Sequence, residues 1–287
     1  MRFLLVFLAT TAVATVVAQD FSFAPATIRQ GETLQLHGSK EAVTARLDEV
    51  TIPLYPQSDS VSFGLMPIGV LTKPGEYKLE FLNQAGTAIH IATVSVRDAR
   101  YPTQNIVISQ ALSELKSTSD EAETVAAFFK GAASSPVRAW EEPLQTPVPA
   151  CMNSLFGVQR LHNGKPTGDY HAGVDQAAVA GTPIHAVAAG TVRIVRLFQL
   201  RGGTVAIDHG QGLQSMYLHQ SRFAVKEGQQ VKAGEVIGYV GSTGRATGPH
   251  LHWSLYANGH AVNPNQWVKL TSCYAAPARP KTPPKKK

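Results

Sequence analysis

The stretch His250-Leu251-His252-Trp253-Ser254-Leu255-Tyr256 alternates in character with a period of two. Successive side chains of a strand fall on opposite faces. Leu251, Trp253 and Leu255 therefore form an apolar face suited to a core, and His250, His252, Ser254 and Tyr256 share the other. The two histidines point the same way, roughly 7 Å apart along the strand. One is then placed to bind a metal while its neighbour reaches a substrate. Upstream, Ser215-Met216-Tyr217-Leu218-His219 divides in the same manner, with Met216 and Leu218 on one face and Ser215, Tyr217 and His219 on the other. If the two strands are neighbours, His219 joins the same pocket.

A third stretch, His171-Ala172-Gly173-Val174-Asp175, adds an imidazole and a carboxylate. Gly173 marks it as a loop or irregular strand in which the two groups can converge on one ion. One carboxylate and four imidazoles are the ligand and base set that a hydrolytic zinc site needs. Zinc takes imidazole nitrogen and carboxylate oxygen, and a catalytic zinc keeps one position open for water, which becomes hydroxide near neutral pH. The chain has no His-Glu-x-x-His, so the site is not of the helix-borne thermolysin type, and no Cys-x-x-Cys, so a cysteine zinc site is excluded. The remaining histidines fit ordinary roles. His162 and His260 adjoin turns, His185 lies in an apolar run, His209 ends a strand, and His37 and His90 have no second ligand at useful spacing.

The segment 141–272 around these motifs has glycine-rich turns, among them Gly190, Gly202-Gly203, Gly241, Gly244 and Gly248, and reads as an antiparallel β domain. Residues 20–100 read as a second β domain. Thr33-Leu34-Gln35-Leu36-His37 and Tyr77-Lys78-Leu79-Glu80-Phe81 alternate, turns fall at short intervals, and an immunoglobulin-like sandwich is expected. Between them, 101–140 is expected to be a helical connector. Ile108, Ala111, Leu112 and Leu115 have helical spacing, and a second helix runs from Ser119 to Lys130, with a Thr118/Glu121 capping box and Gly131 at its end.

The ends are different. Arg2 followed by the apolar run Phe3 to Val17 and the small residues before Ala18 reads as a signal peptide over 1–18, the run being short for a span of ~20 residues. The tail 273–287 is basic and Pro-rich and cannot build a core. The 287-residue chain is 44% hydrophobic with a net charge of +6, much of it in that tail. No basic helix, zinc finger or aromatic-rich RNA motif accompanies the charge, so nucleic acid is not the expected partner. Cys151 and Cys273 bracket the histidine-bearing segment, and in an oxidising compartment they can pair.

Residues from about Phe156 to Trp267 resemble the lysostaphin/LytM-type zinc endopeptidases of bacterial cell walls. The resemblance rests on His171-Ala172-Gly173-Val174-Asp175, Pro183-Ile184-His185-Ala186-Val187-Ala188-Ala189-Gly190-Thr191-Val192, Ile207-Asp208-His209-Gly210, Tyr217-Leu218-His219, Gly241-Ser242-Thr243-Gly244 and Gly248-Pro249-His250-Leu251-His252. It implies that His171, Asp175 and His252 bind Zn2+ and that His219 and His250 flank the metal as catalytic histidines. Trp253-Ser254 departs from the usual aromatic-acid pair, and Gln220 stands where leucine is common.

The expectation is a secreted or periplasmic zinc metalloendopeptidase that cuts peptide cross-links or stem peptides of peptidoglycan with a zinc-activated water, on a mainly β fold with a LytM-like catalytic domain. No stable membrane insertion is expected once the signal is cleaved. The main rival is a non-catalytic wall-binding activator of other hydrolases. Such relatives usually lack several of the five residues, and this chain has all five. A zinc peptidase acting on protein is a third reading, which the resemblance disfavours. The N-terminal half carries no nameable chemistry, and its role as positioner, cover or spacer is open.

Overall fold

The computed structural model describes residues 21–273. The expected signal segment 1–18 and all but the first residue of the expected tail lie outside the described residues. The chain is mainly β.

Residues 22–97 form two sheets. One has the order Ser22–Ala24, Thr33–Ser39, Val61–Pro67, Tyr55–Pro56, and the other Thr27–Arg29, Ala88–Arg97, Gly75–Leu82, Thr44–Leu47, Val50–Pro53. Alternate residues of both sheets meet in one core, with Leu34, Leu36 and Met66 from the first against Leu79, Phe81, Val94 and Val96 from the second. This is what period-two patterning produces when each sheet has one dry face.

The second half is built on an eight-stranded sheet. Its order is Met152–Ser154, Val174–Gln176, Leu251–Ala257, Leu213–Gln220, Gly202–Gly210, Gly190–Phe198, Gln230–Val231, and His260–Val262 pairs beside Leu251–Ala257. Trp253, Tyr217, Leu255, Val205 and Ile207 cover one face of this sheet and pack with Ile184 and Ile237 of a three-stranded sheet, Pro183–His185, Val236–Tyr239, Arg222–Phe223, and with Val240 just beyond it. Met216, Leu218, Ala206, Ile194 and Tyr256 cover the other face, where the helix Ser119–Lys130 lays Val125 and Phe128 on them. The central strands Gly202–Gly210 and Leu213–Gln220 are thus buried along their whole length.

The helix occupies the expected residues, and Thr118 caps it by accepting from the Glu121 N–H at 3.2 Å. Gly131 sits at φ −73° and the chain continues as a 3-10 turn, Gly131–Ser134, rather than stopping in a left-handed cap. The segment 101–140 is not helical throughout. It opens with the strand Thr103–Ile106, which pairs in parallel with Gln159–His162 and through it with Lys165–Tyr170. The first helix is only Gln110–Glu114. An extended partner strand outcompetes helix at 103–106, where Thr103 and Asn105 are weak helix formers.

The two halves are packed together. Phe63 and Leu65 belong to the second half's core, where Phe63 lies tilted against Trp140 and Trp140 meets Trp267 edge-on. The Gln266 amide accepts from the Thr33 N–H at 2.7 Å and donates to the Thr33 carbonyl at 2.8 Å, completing that strand's edge. Cys151 and Cys273 form a disulfide that closes the second half at its ends. Among the described residues no helix is long and apolar enough to cross a membrane.

Candidate metal centre and active-site groove

Strand register brings the site together. Val174–Gln176 pairs antiparallel with Leu251–Ala257 so that Asp175 lies opposite His252, and Leu218 lies on the other side of His252 from the neighbouring strand. His171 enters from the loop before Val174, fixed by its N–H to the Val158 carbonyl at 2.9 Å. A side chain at Gly173 would press on the Trp253 carbonyl, Ser254 Oγ and His252 Nε2, so this position must stay bare for the loop to lie on the strand.

Three donor atoms converge. His171 Nε2 is 3.0 Å from Asp175 Oδ1, His252 Nδ1 is 2.9 Å from the same oxygen, and the two ring nitrogens are 2.9 Å apart. The outward nitrogens have partners of their own. His171 Nδ1 donates to the Leu155 carbonyl at 2.8 Å, and His252 Nε2 is 2.9 Å from Ser254 Oγ, the serine that stands where an acid is more usual. A carbonyl only accepts, so the His171 proton sits on Nδ1 and its Nε2 lone pair faces inward. Two imidazole lone pairs and a carboxylate oxygen aimed at one point repel unless a cation lies between them. The set therefore fits a divalent metal, with outer partners that orient each ligand. Asp175 Oδ2 accepts from Arg160 at 2.8 Å. Burial alone would raise the Asp175 carboxyl, and the neighbouring His171 and His252 hold it well below the usual carboxylate range. Burial pushes His252 down to about 3.

Two more imidazoles stand beside this triangle. The His219 ring centroid is 4.9 Å from that of His250 and 6.1 Å from that of His252. His219 Nδ1 donates to the Thr243 carbonyl at 2.8 Å, and His250 Nδ1 donates to the Gly248 carbonyl at 2.8 Å. Both rings are thereby fixed with the Nε2 lone pair free. Burial, and then the proximity of His250, pushes His219 down to about 4, so its neutral, proton-accepting form persists. His250 Nε2 lies 3.8 Å from Asp175 Oδ1.

All five residues anticipated from sequence thus meet in one place, and three of them, His171, His219 and His252, line an open groove of about 550 Å³. Leu71 of the first half reaches the groove wall. Ile106, Ile108 and Leu112 face Asp175, His219, His250 and His252 across a smaller chamber of about 70 Å³. His162 lines both spaces, so it is closer to the site than its turn position implies. His209 is elsewhere, bonded to the Ala189 carbonyl and Ser215 Oγ in the core. His185 contacts the Pro147 carbonyl. Sequence reading missed Arg160, Arg201 and Arg245, which also line the groove. The one available signal was Arg245, a charged residue inside the glycine loop just ahead of Pro249-His250.

Residues 169–264 match the sequence profile of peptidase family M23, a span that contains all five residues. Over 113 residues the chain is 45% identical to the DD-carboxypeptidase/endopeptidase Mpg of Neisseria meningitidis, which is 39% of this chain and 26% of that protein. Over 112 residues it is 41% identical to the peptidoglycan DD-endopeptidase ShyA of Vibrio cholerae, again 39% and 26%. The match spans about a quarter of the length of these relatives. The crystal structure of a Pseudomonas aeruginosa protein assigned to peptidase M23 superposes with a TM-score of 0.56 at 32% identity, covering 78% of this chain and 86% of that one.

Proposed function

The chain belongs to peptidase family M23, and from that premise we propose that it is an exported zinc metalloendopeptidase acting on the peptide part of peptidoglycan. The observation that carries this reading is the convergence of His171 Nε2, Asp175 Oδ1 and His252 Nδ1 beside two histidines with free Nε2 atoms, in a groove open to solvent. The names of the relatives supply the substrate class, and the disulfide fits an oxidising compartment outside the cytoplasm.

In this reading His171, Asp175 and His252 hold the zinc. The ion supplies a Lewis acid and an acidified water at neutral pH. Arg160 fixes the Asp175 carboxylate, and the Leu155 carbonyl and Ser254 hydroxyl fix the two ligand rings, so the donors do not reorganise when a substrate enters. His219 and His250 do the proton work. One accepts the water proton at Nε2 and returns it to the leaving amine, while the other donates to the developing oxyanion when it carries a second proton, on Nε2, as the imidazolium. Their Nδ1 atoms are committed to backbone carbonyls, which leaves Nε2 as the working atom of each.

Digestion of purified peptidoglycan by the disulfide-bonded protein, with mass spectrometry of the released fragments, tests the proposal. Cleaved cross-links or stem peptides are expected, lost on chelation and in His219→Ala. Intact peptidoglycan in every condition would instead favour a wall-binding activator of other hydrolases.

A further inference from the structure

Arg245 stands next to the donor triangle with nothing in the fold to hold. It lines both the groove and the small chamber shared with Asp175, His219, His250 and His252. It is half-buried, and among the described residues its guanidinium makes no hydrogen bond or ion pair. The root of the side chain is nevertheless fixed. The Arg245 N–H donates to the Leu200 carbonyl at 2.9 Å, and Gly244, at φ +69°, lies so close to Gly202 that a Cβ there would overlap its backbone nitrogen. The loop presents Arg245 to the groove by construction.

Its neighbours do not neutralise it. Arg160 is another guanidinium that lines the same groove, and its charge opposes that on Arg245. Burial first, and then Arg160, lowers Arg245 from the ordinary arginine range. Arg160 spends one terminal nitrogen on Asp175 at 2.8 Å, but its Nε is buried without a partner. Arg201 is committed to Glu121 at 2.7 Å. Asp169, the acidic group on the groove wall, acts on Arg245 at a distance and forms no ion pair with it. An unpaired guanidinium kept partly out of water beside a second one is costly on its own account. The fork of N–H donors that results is matched to a planar carboxylate.

We propose that Arg245, backed by Arg160, is a specificity-determining anion site that takes a free carboxylate of the substrate peptide adjacent to the bond being cut. The inference rests on the peptidase reading and adds the chemical feature by which the groove selects its peptide. The carboxylate belongs either to the end of a peptide chain or to a side chain, and both sources present the same planar anion.

Short D-alanyl stem peptides test this, one with both carboxylates free, one amidated at the C-terminus and one amidated on the side chain. Steady-state hydrolysis by the zinc-loaded protein is expected to lose about tenfold to a hundredfold in kcat/KM, chiefly through KM, on amidation of one of the two, and the peptide affected identifies the source. Arg245→Gln is expected to lose the same factor on the free peptide and to ignore that amidation. Arg245→Lys recovers part of the preference. Because the guanidinium holds nothing in the fold, the unfolding midpoint of Arg245→Gln should match or exceed that of the parent protein. Calorimetric binding of the three peptides to His219→Ala provides the same comparison without turnover, so failure of hydrolysis is distinguishable from failure of recognition. Equal affinity for all three peptides, or unchanged discrimination in Arg245→Gln, overturns the proposal.

Discussion

His219 is where the strand Leu213–Gln220 stops behaving as a strand. Leu218 lies opposite His252 and Tyr217 opposite Trp253, so unbroken alternation would send the His219 ring into the core with Tyr217. The residue instead adopts φ +59°, a left-handed conformation that redirects the ring toward His250 and His252. Strain of this kind concentrates at functional positions. The period-two rule therefore finds the faces of Leu251–Tyr256 but cannot place His219, which only its motif made visible. His219→Ala is expected to lower kcat by about 10²–10⁴ while keeping its metal, whereas Asp175→Ala should lose both, and metal analysis of the purified variants separates the two cases. His209 makes a prediction about stability. It is fully buried, and burial pushes it down to about 4. Above pH 6.5 it is neutral in both folded and unfolded chains and contributes nothing. As the pH falls from 6.5 toward 4 the unfolded chain takes the proton first, so stability drops by on the order of 3 kcal/mol and levels off below. Urea midpoints at pH 7.5 and 4.5 should converge less in wild type than in His209→Gln, in which this part of the pH dependence is absent.

The helix Ser119–Lys130 shows how far local signals reach. Its limits and its Thr118 cap were legible because they depend on neighbours in sequence. The second half of the capping box does not form. The Glu121 carboxylate turns away from the helix start and accepts from the Leu200 N–H, the Arg201 N–H and the Arg201 guanidinium, tying the helix to the Phe198–Gly202 turn. A buried demand for three hydrogen bonds outweighs one local bond, and nothing in a window of sequence announces it. Two substitutions separate these roles in chemical unfolding. Thr118→Ala should cost about 1 kcal/mol. Glu121→Ala should cost roughly 3–5 kcal/mol, because it strands a partly buried Arg201 and two N–H groups. The strand Thr103–Ile106 was illegible for a related reason, since Thr103-Gln104-Asn105 has no apolar face and becomes extended only through pairing with Gln159–His162.

At the scale of the molecule, the halves read from the sequence share a core that no local pattern reveals. Phe63 and Leu65 lie with Trp140 and Trp267, and Asn258 donates to the Leu65 carbonyl at 2.7 Å. The first half therefore supplies both packing and, through Leu71, a piece of the groove wall. Cys151 and Cys273 are 122 residues apart in sequence. Closing a loop of that length stabilises by about 5 kcal/mol on the chain-entropy account, so the Cys151→Ser, Cys273→Ser double variant should show a lower urea midpoint of about that worth. The candidate site was legible as a set of residues because each sits in a short motif, and the fold brings the five together. Arg245 was not legible, because its role lies in the partner that its guanidinium lacks in three dimensions.

The most direct test of the account is a zinc titration of the chelated, disulfide-intact protein, with release of peptide fragments from purified peptidoglycan followed at each step. Hydrolysis should rise in proportion to added zinc and break at one equivalent per chain, while Asp175→Ala stays flat throughout. Hydrolysis by the metal-free protein, or a response to zinc that survives in Asp175→Ala, would contradict the assignment of His171, Asp175 and His252 as the centre on which activity depends.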